Sequence, residues 1–384
     1  MNILIIIFIL QINLFEKIFC SAENSTVPQP PPPKPPSNVR TCNFVGDTTG
    51  YLRPCYFTNW AQNREGRAKF VPENYVPGLC THIIYAFAQF NSSFIPSPSN
   101  ITDLPNESDL KGLYQRVLEL KNYDYALKVI ISFGEWTFSQ TSLFEDMMSR
   151  NLLKHLKKII TAAVSAGIET AEQSYDIANM SNYVEFVNLM TYDFHVSTES
   201  VTGYNSPLFT KDDLNIDSAA DYWFIKGMPK NKIVIGLATY GHGWTLADPN
   251  AKKKPVGINA TGPSKPTEFV KEEGIGAYYE FCEMLTDRST KHAFDMNAKV
   301  PFLVYQNDQW FSFDNIRSFK AKIDWIKANG YGGAYVWTLD FDDFNGQCTD
   351  SEDGIYPLIG TIARRMGGIK GPLVPISSST ERPI

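Results

Sequence analysis

The chain lacks the features that mark several broad classes. It carries no long run of Lys or Arg, and its net charge is −6 with a pI of about 5.5. That balance reads as an ordinary soluble surface with no nucleic-acid partner. No two of its six cysteines stand at a metal ligand's spacing, so no metal site is expected; no cofactor is expected either. There is no internal repeat, and no stretch beyond the first residues is apolar enough to span a bilayer.

What is present begins with "MNILIIIFILQINLF", an apolar run that starts at Met1 and is followed by Lys17 and the small-residue site Cys20–Ala22. The run is shorter than the ~20 residues a spanning helix needs. Residues 1–22 therefore read as a secretory signal peptide, although no Lys or Arg precedes the apolar core. The mature protein is expected to be secreted and extracellular, with no membrane association once the signal is cleaved. Residues 23–41 contain "VPQPPPPKPPS", an extended Pro-rich linker. The folded part is expected over 42–368, and the tail 369–384, ending "SSSTERPI", is expected to be disordered.

Cys20 would leave with the signal. Cys55, Cys80, Cys282 and Cys348 are available for two bridges in an oxidising compartment, which leaves Cys42 as a free thiol or an intermolecular partner. Glycosylation sequons stand at Asn24, Asn91, Asn100, Asn106, Asn179 and Asn259. Aromatic residues make up 13% of the chain, a surplus that suits a surface stacking on sugar rings.

Apolar runs alternate with helical periodicity. The runs are 55–59, 81–90, 126–134, 159–164, 185–194, 232–240 and 332–341. Several are apolar almost throughout, the pattern of strands buried on both faces of a parallel sheet. Leu110, Leu113, Tyr114, Val117 and Leu118 repeat at three and four residues, predicting one helix. Phe319, Ile323 and Ile326 predict another, stopped at Gly330. A third is expected over Leu143–Lys158. The connection from Tyr240 to Tyr331 is too long for a bare loop and reads as an inserted α+β subdomain, placed at 245–315. Strand–helix alternation predicts an α/β fold, either a (β/α) barrel or a doubly wound sheet. A (β/α)8 barrel needs eight strands, and only seven runs are found.

The motifs "CYFTNW", "CTHIIYAF", "VIISFGEW", "TAAVSAG", "FVNLMTYDFH", "TGYNSPLF", "AYYEFC", "DQWFSFD" and "GGAYVWTLDFDDF" occur in that order. Together they resemble the family-18 glycoside hydrolases of animals, the chitinases and chitinase-like lectins, over about Tyr51 to Gly368. The resemblance implies a TIM-type (β/α)8 barrel with an α+β insertion between its last two strands. It implies a ligand, chitin or a chito-oligosaccharide, and pairs Cys55 with Cys80 and Cys282 with Cys348. By the same resemblance Tyr56, Phe87, Trp136 and Trp337 line the cleft. Met190, Tyr192 and Asp193 surround the acetamido group, and Tyr240 ends the seventh strand. His242 stands in "YGHG" where the family often has Tyr-Gly-Arg, and cannot reproduce a guanidinium's two-pronged donation.

One family element is absent. The fourth-strand motif D-G-x-D-x-D-x-E, whose Glu is the general acid, matches nothing in this chain. It would fall between Ser149–Arg150 and "IITAAV", where roughly two barrel units of about 30 residues are missing. Family-18 hydrolysis is substrate-assisted: the ligand's own acetamido oxygen attacks while the Glu protonates the leaving oxygen. No catalytic residue is therefore assigned, and Glu135 is the candidate substitute acid, on a different strand. Asp193 helps to hold the ligand and is not the acid. The shortened barrel, of about seven strands, is expected either to fold poorly or to close by pairing "KVIISF" with "IITAAV".

Three functions compete: a chitin-binding protein with impaired catalysis, an active chitinase, and a splice or gene-model product without function. No Cys-rich module follows the barrel, so affinity for chitin is expected from the cleft alone, in a monomer.

Overall fold

The computed structural model describes residues 7–11, 49–91, 95–107, 109–134, 160–251, 256–348 and 354–370. The strands, in chain order, begin with β1 (Ile7–Gln11), β2 (Pro54–Thr58), β3 (His82–Phe90), β4 (Pro96–Pro98) and β5 (Lys128–Phe133). They continue with β6 (Ile160–Ser165), β7 (Phe186–Met190) and β8 (Ile233–Ala238). Next come β9 (Tyr240–Leu246), β10 (Ala260–Pro263), β11 (Ile275–Ala277), β12 (Lys291–Asp295), β13 (Val300–Tyr305), β14 (Gln309–Ser312) and β15 (Gly333–Trp337). The seven apolar runs of the sequence become β2, β3, β5, β6, β7, β8 and β15.

These strands close on themselves in the order β2-β15-β8-β7-β6-β1-β5-β3, with β3 returning to β2. Alternation along each strand sorts side chains between two cores. On β8, Ile233, Ile235 and Leu237 point to the outer layer under the helices, while Val234 and Ala238 fill the barrel interior. Ile83, Tyr85, Val129 and Ile131 likewise pack outward, and Ile84, Ala86 and Ile130 inward. Both faces are buried, which is why these runs are apolar at nearly every position. Gly236 is the interior position that no side chain fits: a Cβ there would lie 2.7 Å from the Leu189 carbonyl oxygen and 2.9 Å from the Tyr335 ring.

The closure differs from the sequence expectation. β5 and β6 do not pair with each other; β1 lies between them and is antiparallel to both. Ile9 is in register with Ser132 on one side and Thr161 on the other. The seven other barrel strands run parallel to their neighbours. The physical reason is edge satisfaction. Two strands flanking a gap expose rows of N–H and C=O groups, and a five-residue apolar extended segment supplies partners to both. β1 lies within residues 1–22, the segment read as an export leader.

Seven helices matter here: α1 (Gly112–Glu119), α2 (Ile168–Ser174), α3 (Ile177–Met180), α4 (Ile216–Ile225), α5 (Tyr278–Thr286), α6 (Ile316–Asn329) and α7 (Pro357–Arg365). α6 starts where the Asn315 side chain accepts from the Ser318 N–H and stops at Gly330, left-handed with φ 74°. Its Phe319, Ile323 and Ile326 are buried, as the periodicity requires. α1 begins at Gly112, so Leu110 lies ahead of the helix and is 85% exposed, contrary to its expected place on the apolar face. The helix expected over 143–158 lies outside the described residues, as do the linker 23–41 and residues 371–384 of the tail.

A second sheet, ordered β10-β9-β14-β13-β12 with β11 on β9, forms the insertion between β8 and β15. Disulfides join Cys55 to Cys80, with Cα atoms 5.9 Å apart, and Cys282 to Cys348, 5.3 Å apart. The first ties β2 to the turn before β3; the second ties α5 to the segment after β15. Cys20 and Cys42 lie outside the described residues.

Candidate functional site

The C-terminal ends of the parallel strands converge on an aromatic mouth. Trp337, the last residue of β15, is its centre. Its ring lies 4.9 Å from that of Tyr56 on β2 and 6.0 Å from that of Phe87 on β3, centroid to centroid. Trp60, just beyond β2, stacks on Phe87 at 5.9 Å and stands 6.4 Å from Trp337. Trp60 is 38% exposed and Trp337 half-buried, whereas Tyr56 and Phe87 are buried. Two rings are therefore offered to solvent on a rigid aromatic base, which suits the C–H face of a pyranose.

Beside this platform stands a polar group set. Asp193 follows β7 with φ 57°, a left-handed conformation fixed by its N–H donating to Asn205 Oδ1 at 2.9 Å. Asp193 Oδ1 accepts from the Tyr240 hydroxyl and lies 2.8 Å from His242 Nε2. Its side chain is 47% exposed, so the carboxylate is reachable from solvent. Asn205 also donates to the Tyr240 carbonyl at 3.3 Å, locking the start of β9 to this loop. Beneath, the Tyr192 and Tyr335 hydroxyls are 2.9 Å apart. Burial pushes the Tyr192, Tyr240 and Tyr335 phenols well above their ordinary range, so all three stay protonated donors. Met190 ends β7 and packs against the same interior cluster.

An open groove of roughly 530 Å³ leads away from the platform, lined by Trp60, Arg64, Val270 and Lys271 among others. Arg64 is held over the Phe341 ring at 4.5 Å and bonded to Asp340 at 2.5 Å.

Of the expected cleft residues, Tyr56, Phe87, Met190, Tyr192, Asp193, Tyr240 and Trp337 are brought together. Trp136 and Glu135 lie outside the described residues, as does the sequon at Asn24. The sequon residues Asn91, Asn179 and Asn259 are exposed, while Asn100 is spent capping the turn at Thr102 and Asn106 is half-buried. Sequence reasoning passed over Trp60 and Tyr335. Trp60 closes the quoted "CYFTNW" motif, and that position was the available signal. Tyr335 is apolar-strand filling in sequence and becomes part of the site through its hydroxyl.

Deeper in the barrel, the side chains of Ser132, Thr161 and Asn188 and the Tyr56 hydroxyl are buried with no hydrogen-bond partner among the described residues. Burial raises the Tyr56 phenol, and the Asn188 amide lies close enough to temper that without reaching bonding geometry. These four groups come from β5, β6, β7 and β2, and Ser132 and Thr161 are each in register with Ile9 of β1.

Barrel, inserted sheet and aromatic mouth together define a glycoside hydrolase architecture. The chain belongs to the Glycosyl hydrolases family 18, whose model matches residues 53–155 and 148–342. It is 42% identical over 383 residues to a probable endochitinase of Caenorhabditis elegans, covering 84% of this chain and 61% of that protein. The chain thus spans less than two thirds of that relative's length. It is 31% identical to human chitinase-3-like protein 2, covering 84% and 94%. Among solved structures it is similar to an immunomodulatory active chitinase of Trichuris suis, at TM-score 0.76 and 37% identity over 83% of this chain and all of that one. It is also similar to human YKL-39, described as a pseudo-chitinase with retained chitooligosaccharide binding, at TM-score 0.71 and 31% identity over the same shares.

Proposed function

We propose that this chain binds chitin and chito-oligosaccharides through the barrel mouth and turns them over slowly or not at all. The observation that carries the reading is the pairing of an intact platform with a missing acid. Trp337 on Tyr56 and Phe87, with Asp193 beside them, offers stacked rings and a carboxylate that suit a sugar. The D-G-x-D-x-D-x-E motif that would supply the proton donor occurs nowhere in the sequence. General acid catalysis contributes typically about 10²–10⁴-fold, so its loss removes rate while the stacking surface persists. Human YKL-39 is described as a pseudo-chitinase with retained chitooligosaccharide binding, which supports the reading.

The test sets a chitin pull-down beside hydrolysis of a fluorogenic chitobioside. Retention on chitin with turnover at background is the expected result. Turnover that disappears in Glu135→Gln would replace this reading with an active chitinase using Glu135 as its acid. Failure to bind chitin would overturn it.

Two disulfides fit an oxidising compartment, which supports a secreted protein with sugars on the exposed Asn91, Asn179 and Asn259. A mobility shift on enzymatic deglycosylation of the secreted chain checks this.

A further inference from the structure

Two segments wall the groove that leads from the platform. One is the loop after β2, with Trp60, Arg64 and Glu65; the other belongs to the inserted subdomain and carries Val270 and Lys271. Across the groove, Lys271 Nζ lies 2.7 Å from Glu65 Oε2. The backbone at Lys271 is left-handed, φ 59°, a conformation few residues other than glycine adopt. Its N–H closes a turn on the Thr267 carbonyl at 3.3 Å. That turn hangs on Glu280, buried on α5, whose carboxylate accepts from the Thr267 hydroxyl and the Phe269 N–H, each at 2.8 Å. The opposite wall is fixed by Arg67, whose guanidinium lies 4.4 Å over the Phe269 ring and pairs with Glu283. Both walls are therefore held from behind. The Glu65 and Lys271 side chains are 83% and 59% exposed, so the pair opens by rotation about side-chain bonds while the walls stay in place.

We propose that Glu65 and Lys271 form a latch across the groove that makes the protein discriminate chito-oligosaccharides by length. The proposal rests on the binding reading above. A short oligosaccharide is covered by the platform around Trp337 and does not meet the pair. A longer one runs on into the groove and has to part Lys271 from Glu65 before its outer sugars can lie there. An exposed ion pair resists opening by a factor of about two to five, so the latch sets a graded preference and not a barrier. It also makes long-chain binding respond to salt although the ligand is neutral, because salt screens the pair and finds no charge on the sugar.

The experiment is calorimetric titration of the full chain with chitobiose and with chitohexaose, at about 0.05 and about 0.5 M salt. Wild type is compared with Glu65→Gln, Glu65→Lys and the charge-swapped Glu65→Lys/Lys271→Glu. Chitohexaose is expected to bind Glu65→Gln about two- to fivefold more tightly than wild type, and Glu65→Lys at least as tightly. The swapped pair is expected to return to the wild-type value, while chitobiose binds all four proteins alike. Raising the salt is expected to tighten chitohexaose on wild type and to leave Glu65→Gln unchanged. A chitohexaose affinity that is the same in wild type and Glu65→Gln overturns the latch and leaves the binding reading intact, as does an equal gain for chitobiose. A loss of chitohexaose affinity in Glu65→Gln overturns it too, since Glu65 would then be holding the sugar. Absence of wild-type binding to both sugars overturns both readings.

Discussion

Ser132 on β5 and Thr161 on β6 stand at one level of the barrel, each in register with Ile9 of the strand between them, and neither hydroxyl has a partner among the described residues. A buried hydroxyl left unmade costs about 1–3 kcal/mol, whereas an apolar replacement of the same shape removes that cost. Ser132→Ala and Thr161→Val are therefore expected to stabilise the protein by about 1 kcal/mol each, raising Tm by roughly 2–4 °C. Thermal unfolding followed by circular dichroism checks the sign. A loss of stability in both variants would mean that the hydroxyls are satisfied.

Removing residues 1–41 should expose the facing edges of β5 and β6. An uncapped strand edge is a template for pairing with another chain. The shortened protein is expected to lose its sharp thermal transition and to aggregate with increasing concentration, read by light scattering beside near-ultraviolet circular dichroism. A truncated monomer that melts as cooperatively as the full chain would show that β1 is dispensable.

His82 opens β3, buried edge-on to Phe186 at 5.5 Å, with Nδ1 2.8 Å from the Thr81 hydroxyl. Burial, helped by Lys128 and Arg53, lowers its pKa from 6.5 to about 3. The unfolded chain thus binds more protons than the folded one between those values, so stability rises with pH across that window. Equivalently, it falls on acidification, by at most about 1.4 kcal/mol per pH unit from this residue. Urea unfolding at a series of pH values should show His82→Gln less acid-sensitive between pH 6.5 and 4 than wild type. Parallel profiles would remove His82 from the account.

Trp337 touches Tyr56, Phe87 and Trp60. Its truncation to Ala is expected to abolish chitotetraose binding, a loss of about 100-fold or more, as for a residue central to a recognition surface. Trp60→Ala, at the rim, should cost about tenfold. Equal small losses would place the ligand elsewhere.

The sequence carried much of this structure because the physics concerned was local. Seven apolar runs became seven parallel staves since a strand buried on both faces has no room for alternation. Phe319, Ile323, Ile326 and Gly330 defined α6 through spacing and a left-handed stop. The residues that gather at the mouth, Asp193 and Trp337 among them, stood in ordered motifs. What was not legible depended on pairing between distant segments. β1 was not foreseen because "IFILQ" sits inside an apolar run read as an export leader, and its pairing with β5 and β6 has no local signature. Direct pairing of β5 with β6 was one of two expected outcomes, poor folding being the other, and β1 stands in place of that pairing. That the side chains of Ser132, Thr161 and Asn188 have no partner among the described residues is a three-dimensional fact with no local signature. Leu110 followed the helical period and still fell outside the helix, because α1 begins only at Gly112.

The reversed direction of β1 has a consequence for routing. In the parallel strands the chain climbs toward the mouth, so Lys128 is near the floor and Phe133 near the rim. β1 descends: Phe8 is level with Phe133 and Gln11 with Ile130. The polypeptide therefore enters this barrel from the ligand side and leaves through the base. A peptide tag fused ahead of Ile7 would be delivered to the doorway that the sugar has to use.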